Sequence, residues 1–365
     1  MNSFPPLDSD SRAAGGAPLA GPQPAAAGPE RAALAVRAPA DLLAAVPYLL
    51  GFHPERSLVV TGLHGSRLTF TARVDLPPAG TPTRAVRAQA RHAVAVVARQ
   101  RVEAALLIGY GTAEEVVPLM EAVRSGLVER SIAVEEELRV AGDRYWSLLC
   151  SNPACCPPQG RPFDPSGTVV AATATLAGEV ALPDRAALAA QIAPLTGAAR
   201  AAADRATERA DERLSALLAA ARPADLLGGR ALRVAGMAAV EEAIARQRAG
   251  RPLSDDDIAW LTVVLLHPPV RDHAWVATTG EGWAVELWSE VLRRAVEDLV
   301  PAPASLLSFA AWHAGRGPLA GVALERALRV DPTYPLARFM ADVLCAGVPP
   351  ELLDDLPRPA TQTTP

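Results

Sequence analysis

The sequence predicts an α/β fold, a mixed sheet flanked by helices, followed by an all-α helical domain. Three observations predict it. Residues 57–74 hold two β-rich runs around a Gly-containing turn, which is a hairpin signal. Ala104–Tyr110 is a continuous apolar run between two helical patterns, as a buried central strand requires. From Asp184 onward the strand signals stop, and apolar residues recur with helical spacing.

The elements follow in order. Residues 1–37 are rich in Pro, Ala and Gly without periodicity and read as a disordered tail, and 351–365 read the same way. Between them lie an α/β domain at 38–182 and a helical domain at 183–350. Asp41 is placed to cap a short helix carrying Leu42, Leu43, Val46 and Leu49. Ser57–Leu63 is the first strand. In the second, Leu68, Phe70, Ala72 and Val74 alternate with polar residues, which gives it one buried face. A helix at 83–101 precedes the central strand, and Thr112 opens another, with Glu114 and Glu115 where the helix dipole favours them. Ser131–Val140, Tyr145–Cys150 and Thr168–Leu176 read as three further strands, giving the order β-β-α-β-α-β-β-β. Helices are expected at 184–193, 198–221, 225–248 with an interruption at Gly228-Gly229, from Ser254, and at 282–299, 305–314, 318–330 and 333–346.

Composition excludes some chemistry. Every basic residue is an arginine, so no lysine amine is present for a Schiff base or for a P-loop. A formal net charge of −5 gives no field that would attract a phosphate backbone, so no nucleic-acid partner is indicated. Four cysteines are too few for a disulfide scaffold in 365 residues. The N-terminal stretch carries Asp8 and Asp10 and no apolar core of a signal peptide, and no apolar run reaches membrane-spanning length. A soluble, cytoplasmic protein is the expectation.

Four constellations could carry chemistry. In Cys150-Ser-Asn-Pro-Ala-Cys155-Cys156 three cysteines fall within seven residues of a proline-rich loop. They suit a thiolate metal site, with a fourth ligand from a distant His, Cys345 or a carboxylate. They equally suit a redox pair of Cys150 with Cys155 or Cys156, or small thiols that pin a rigid loop. Gly109-Tyr-Gly111-Thr-Ala-Glu114 lies where a strand meets a helix, the place of a phosphate-binding turn, but Glu114 stands where the fingerprint has its third glycine. The alternative is a tight strand-to-helix turn. His53, Arg73 and Asp75 lie at strand ends. With Tyr110 and Arg144 they form a candidate ligand pocket, or else an Arg–carboxylate pair and a turn histidine. His267-Pro-Pro-Val-Arg271-Asp272-His273 offers two histidines and a carboxylate, but a double proline separates them, and an Arg–Asp turn at a helix end accounts for it as well. Of the tryptophans, Trp260 and Trp288 fit core faces.

Pro47-Tyr-Leu-Leu-Gly-Phe-His53-Pro-Glu-Arg56-Ser-Leu-Val-Val60 closely resembles the opening of an actinobacterial family, the domain of unknown function 4192. Ala72-Arg-Val-Asp-Leu-Pro77, Val270-Arg-Asp272 and Ser305–Gly315 fit the same family. The resemblance implies a cytoplasmic actinobacterial protein and brings no activity and no catalytic residue. Gly317–Tyr334 also looks like the end of a tetratricopeptide repeat, although one copy makes only a helical hairpin. Two functions stay open. One is an interaction or regulatory protein whose helical domain, from 282 to 346, offers a groove to a protein partner. The other is a ligand-binding protein or enzyme with its pocket at the strand ends, with or without a thiolate metal site. No cofactor is specified.

Overall fold

The computed structural model describes residues 38–222 except Glu179, residues 229–350, and the single residues Asp225 and Leu352. The expected tails, Leu352 aside, and Gly228 lie outside the described residues.

Six strands form one sheet: β1 (Ser57–His64), β2 (Arg67–Asp75), β3 (Ala104–Tyr110), β4 (Ala133–Ala141), β5 (Arg144–Ser147) and β6 (Arg161–Pro162). Their spatial order is β2-β1-β3-β4-β5-β6. Only β3 and β4 run parallel; the other neighbours are antiparallel, so the sheet is mixed as expected. The parallel step needs a crossover, which α3 (Ala113–Val128) supplies. The helix before β3, α2 (Thr83–Ala98), covers the same face. Leu58, Val60, Ala105 and Leu107 point to that side and pack on Val86, Val94, Val116 and Leu119.

The other face carries Val59, Ile108, Leu138, Val140 and Tyr145, the alternate residues of the same strands. These join Leu42, Leu43 and Val46 of α1 (Pro39–Leu50) and the buried residues of the later helices in one continuous cluster. The sheet's second face and the helical region therefore share a core.

That region holds α5 (Arg185–Gln191), α6 (Gly197–Ala220), α7 (Arg230–Arg248), α8 (Asp255–Val264), α9 (Pro268–Thr278), α10 (Ala284–Arg294), α11 (Pro301–His313), α12 (Gly317–Val330) and α13 (Pro335–Ala346). α11 is buried on all sides from Pro301 to Trp312, the pattern of a helix enclosed by others, and it packs on α9, α10, α12 and α13. Alanine makes this spacing fit: Ala304, Ala311, Ala320, Ala323, Ala327 and Ala337 have no exposed surface. A ladder of rings, Trp275, Phe309 and Trp312, fills the remaining volume, and Trp260 and Trp288 are core residues as expected.

Two expectations are corrected. Thr168–Leu176 is not a strand but α4 (Val169–Leu176). Thr168 caps it by accepting a hydrogen bond from Ala171 N (3.1 Å), and the hydroxyls of Thr173 and Thr175 bond the carbonyls one turn back. The sixth strand is instead the two-residue β6. The segment after His267 is not a turn but α9, because Pro268 and Pro269 occupy the first helical positions, where a missing N–H costs nothing. Arg271 and Asp272 do form the expected ion pair, within that helix (2.7 Å).

Candidate functional site

β4 turns through Gly142 (φ +61°) into β5, and after β5 the chain makes an excursion before returning as β6 beside it. Pairing of Arg144 with Pro162 and of Tyr145 with Arg161 closes the base of this loop. The three local cysteines lie on it.

The loop is held from several directions. The Asn152 carbonyl accepts hydrogen bonds from the N–H groups of Cys155 (3.1 Å) and Cys156 (2.7 Å), and its side-chain oxygen accepts one from Ala154 N (3.0 Å). This Asx turn folds the chain back so that Cys155 and Cys156 face Cys150. The Trp146 indole donates to the Pro158 carbonyl (2.9 Å). Arg144 Nη1 donates to the Gly160 carbonyl (3.0 Å), and Arg161 Nη1 to that of Cys155 (3.4 Å). Gly160 has φ +78°, and a Cβ there would stand 2.5 Å from the Trp146 ring, so only glycine fits.

The result is a convergence of three thiols. The Sγ atoms of Cys150, Cys155 and Cys156 all lie within 4.8 Å of one another. No other group of three or more His, Cys, Asp or Glu ligand atoms converges in this way among the described residues. Cys150 and Cys156 are half-buried, Cys155 is exposed, and none is in a disulfide. Hydrogen bonding from the Cys156 thiol and the Asn152 backbone lowers the pKa of Cys150, while the same pairing pushes that of Cys156 up to about 12. Cys345 lies away from it, exposed on α13.

The remaining candidates are placed differently. Asp75, Ser57, Tyr110, Val140 and Tyr145 are successive cross-strand partners, so Tyr110, Asp75 and Arg73, two residues before Asp75, share the face that carries the larger core. Arg144, next to Tyr145, projects from the opposite face. Arg73 pairs with Asp75 (2.6 Å), donates to the Glu55 carbonyl (3.2 Å) and lies over Phe52. His53 is exposed, its backbone N–H held by the Leu182 carbonyl (2.9 Å). The Tyr110 hydroxyl is buried without a protein partner, and burial raises its pKa. The structure thus brings together Arg73 and Asp75 on one face of the sheet and leaves Arg144 to the cysteine loop.

The glycine turn after β3 accommodates close packing. A Cβ on Gly109 would stand 2.1 Å from Val116 Cγ1. The helix N-terminus is already engaged: the Glu115 carboxylate accepts from Thr112 N (3.1 Å) and pairs with Arg56, and the hydrogen bonds from Thr112 first, then the charge of Arg56, hold its pKa down. The Thr112 and Glu115 N–H groups are thereby both taken, the second by the Thr112 hydroxyl (3.4 Å), and the carboxylate stands where a phosphate would sit. The histidines after α8 diverge, His267 packing under Gly229 and His273 pairing with Glu241 (2.8 Å). In the helical region a cleft of about 450 Å³ opens between Leu266, Pro301, Val330 and Tyr334, with Arg271 on its wall.

The cysteines stand out in the sequence, but the residues that hold them do not. Trp146 is marked there only as one of two adjacent aromatics ahead of a proline-rich loop, and Gly160 as a glycine at its end. Compared with known proteins, the chain matches one family, described as a domain of unknown function (DUF4192), over residues 39–351. No curated protein and no solved structure matches it. No helix among the described residues is long and apolar enough to cross a membrane.

Proposed function

The chain belongs to the DUF4192 family, whose description names no activity, and we propose that it is a cytoplasmic, actinobacterial regulatory protein built around a zinc-binding thiolate centre. The carrying observation is the convergence of Cys150, Cys155 and Cys156. A tetrahedral zinc site with Zn–S bonds of about 2.3 Å sets its sulfurs about 3.8 Å apart. Sulfurs already within 4.8 Å reach that spacing by small side-chain adjustments. A reducing compartment keeps the thiols available as ligands. Three thiolates and one divalent ion sum to one negative charge, which Arg144 and Arg161 at the base of the loop offset. The fourth position is open to water or to an incoming ligand, because the loop itself supplies only three.

The test is a cobalt(II) titration of the reduced full chain. A sulfur-to-cobalt charge-transfer band that saturates at one ion per chain, and disappears when zinc is added, supports the centre. Its absence, or its persistence in Cys156→Ser, refutes it.

A second reading rests on the helical cleft. Its apolar walls, Leu266, Pro301 and Val330, with the Arg271 guanidinium and Tyr334 hydroxyl beside them, suit one side chain of a protein partner. In this reading residues 183–350 are the partner-binding domain and residues 38–182 carry the metal centre, and no nucleic acid or membrane takes part. Cross-linking of the full chain in native cells that captures one specific partner, lost on Arg271→Glu, supports it. An unchanged partner profile contradicts it.

A further inference from the structure

The three thiols can do more than hold an ion. We infer that the cluster is a redox-controlled site, in which a hydroperoxide closes a disulfide between Cys150 and Cys156 and expels the metal. This rests on the zinc reading given above.

Geometry selects the pair. Cys155 and Cys156 are sequence neighbours, so their Cα atoms stand about 3.8 Å apart, below the range of about 4.4–6.8 Å that unstrained disulfides span. A bridge within the cluster therefore needs Cys150. Both neighbouring thiols stand against that of Cys150, and of the two Cys156 is half-buried like Cys150. Cys155 is exposed. A disulfide brings its sulfurs to about 2.0 Å, so from 4.8 Å at most the closure requires under about 3 Å of sulfur movement. The Asx turn at Asn152, which already folds residues 152–156 toward Cys150, need not open.

The chemistry balances. One thiolate attacks the peroxide: an S–O bond forms, the O–O bond breaks, and the departing alkoxide or hydroxide takes up a proton. The second thiolate then attacks the sulfenic acid sulfur: the S–S bond forms, the S–O bond breaks, and the oxygen leaves as water with the sulfenic hydrogen and one further proton. Two thiols are oxidised by two electrons, and one hydroperoxide is reduced to an alcohol and water. Cys155 alone remains as a ligand, too few to retain zinc.

The experiment uses the reduced full chain loaded with one equivalent of zinc and titrated with hydrogen peroxide. Released zinc is read with a chromogenic indicator, and the cysteines are mapped by peptide mass spectrometry. The expected result is release of the whole equivalent, loss of two thiols per chain, a Cys150–Cys156 linked peptide, and recovery of both after a dithiol reductant. Cys345, exposed and outside the cluster, is the internal control. In Cys155→Ser the linked peptide still forms, and in Cys156→Ser it does not. If zinc stays bound until Cys345 is oxidised, or leaves without that linked peptide, the redox inference is overturned while zinc binding stands. If the reduced chain takes up no zinc, the metal reading fails and the inference of metal expulsion fails with it. The linked peptide then reports only whether the thiol pairing itself is right.

Discussion

The Arg139 guanidinium carbon stands 3.6 Å from the centre of the Trp146 ring, over its face, at the end of the sheet where the cysteine loop departs. Arg139 also donates to the Gly111 carbonyl (3.4 Å), so the stack ties β4, β5 and the turn after β3 together. The same ring holds Pro158 by its N–H and Gly160 by contact. Trp146 is thus the support on which the thiols are ordered. Groups that orient metal ligands typically cost about 10–100-fold in metal affinity when removed. Trp146→Ala is expected to weaken zinc binding by that order, measured by competition with a chelator. Trp146→Phe keeps the ring and is expected to lose less.

Gly109 has no Cβ because α3 packs against it. Gly109→Ala sets a carbon 2.1 Å from Val116 Cγ1 in a buried layer. Overpacking of a closed core costs about 1–3 kcal/mol, and that loss is expected in urea unfolding. Inorganic phosphate is expected to leave the midpoint unchanged, because Glu115 occupies the Thr112 N–H.

His267 makes stability depend on pH. Burial first, and the charge of Arg233 second, lower its pKa below the ordinary 6.5, and its Nε2 is buried without a partner. Below pH 6.5 the unfolded chain therefore takes up a proton that the folded chain refuses. By linkage, stability from this group is intact above pH 6.5 and is lost as the pH falls from there through its lower folded value. Urea midpoints of the native chain and of His267→Gln, compared across that window, are expected to converge as the pH falls. A constant difference contradicts the assignment.

The alanine-lined contacts of α11 predict intolerance to size. Ala311 has no exposed surface, and Ala311→Leu is expected to cost about 1–3 kcal/mol or more and to lower the thermal midpoint. The same change at the exposed Ala201 on α6 is expected to be nearly neutral.

Much of the fold was legible in the residues. Ala104–Tyr110 is a strand with the limits its apolar run suggests, because nothing in the run competes with burial on both faces. Thr168–Leu176 was not, since β-branched residues in alternation mimic a strand, and the capping bond of Thr168 tips the segment to helix. At His267 the proline pair has two meanings, and the helical one depends on packing against α7 and α11 that local sequence does not express. At the site, the cysteines and their spacing were visible, but their convergence was not. It depends on the Asn152 turn and on Trp146, whose contacts join residues from three strand ends. The pocket residues at the strand ends show the converse: their place at strand ends did not express the register, which sets Arg144 on the face opposite Arg73, Asp75 and Tyr110.

Elemental analysis of the full chain, purified without chelators and under reducing conditions, tests the zinc centre most directly. One zinc per chain in the native protein, falling to none in Cys150→Ser and Cys156→Ser with unchanged thermal unfolding of the helical region, is the predicted result. A metal-free native chain whose three loop thiols all react freely with a thiol reagent, and still do after zinc is added, contradicts it.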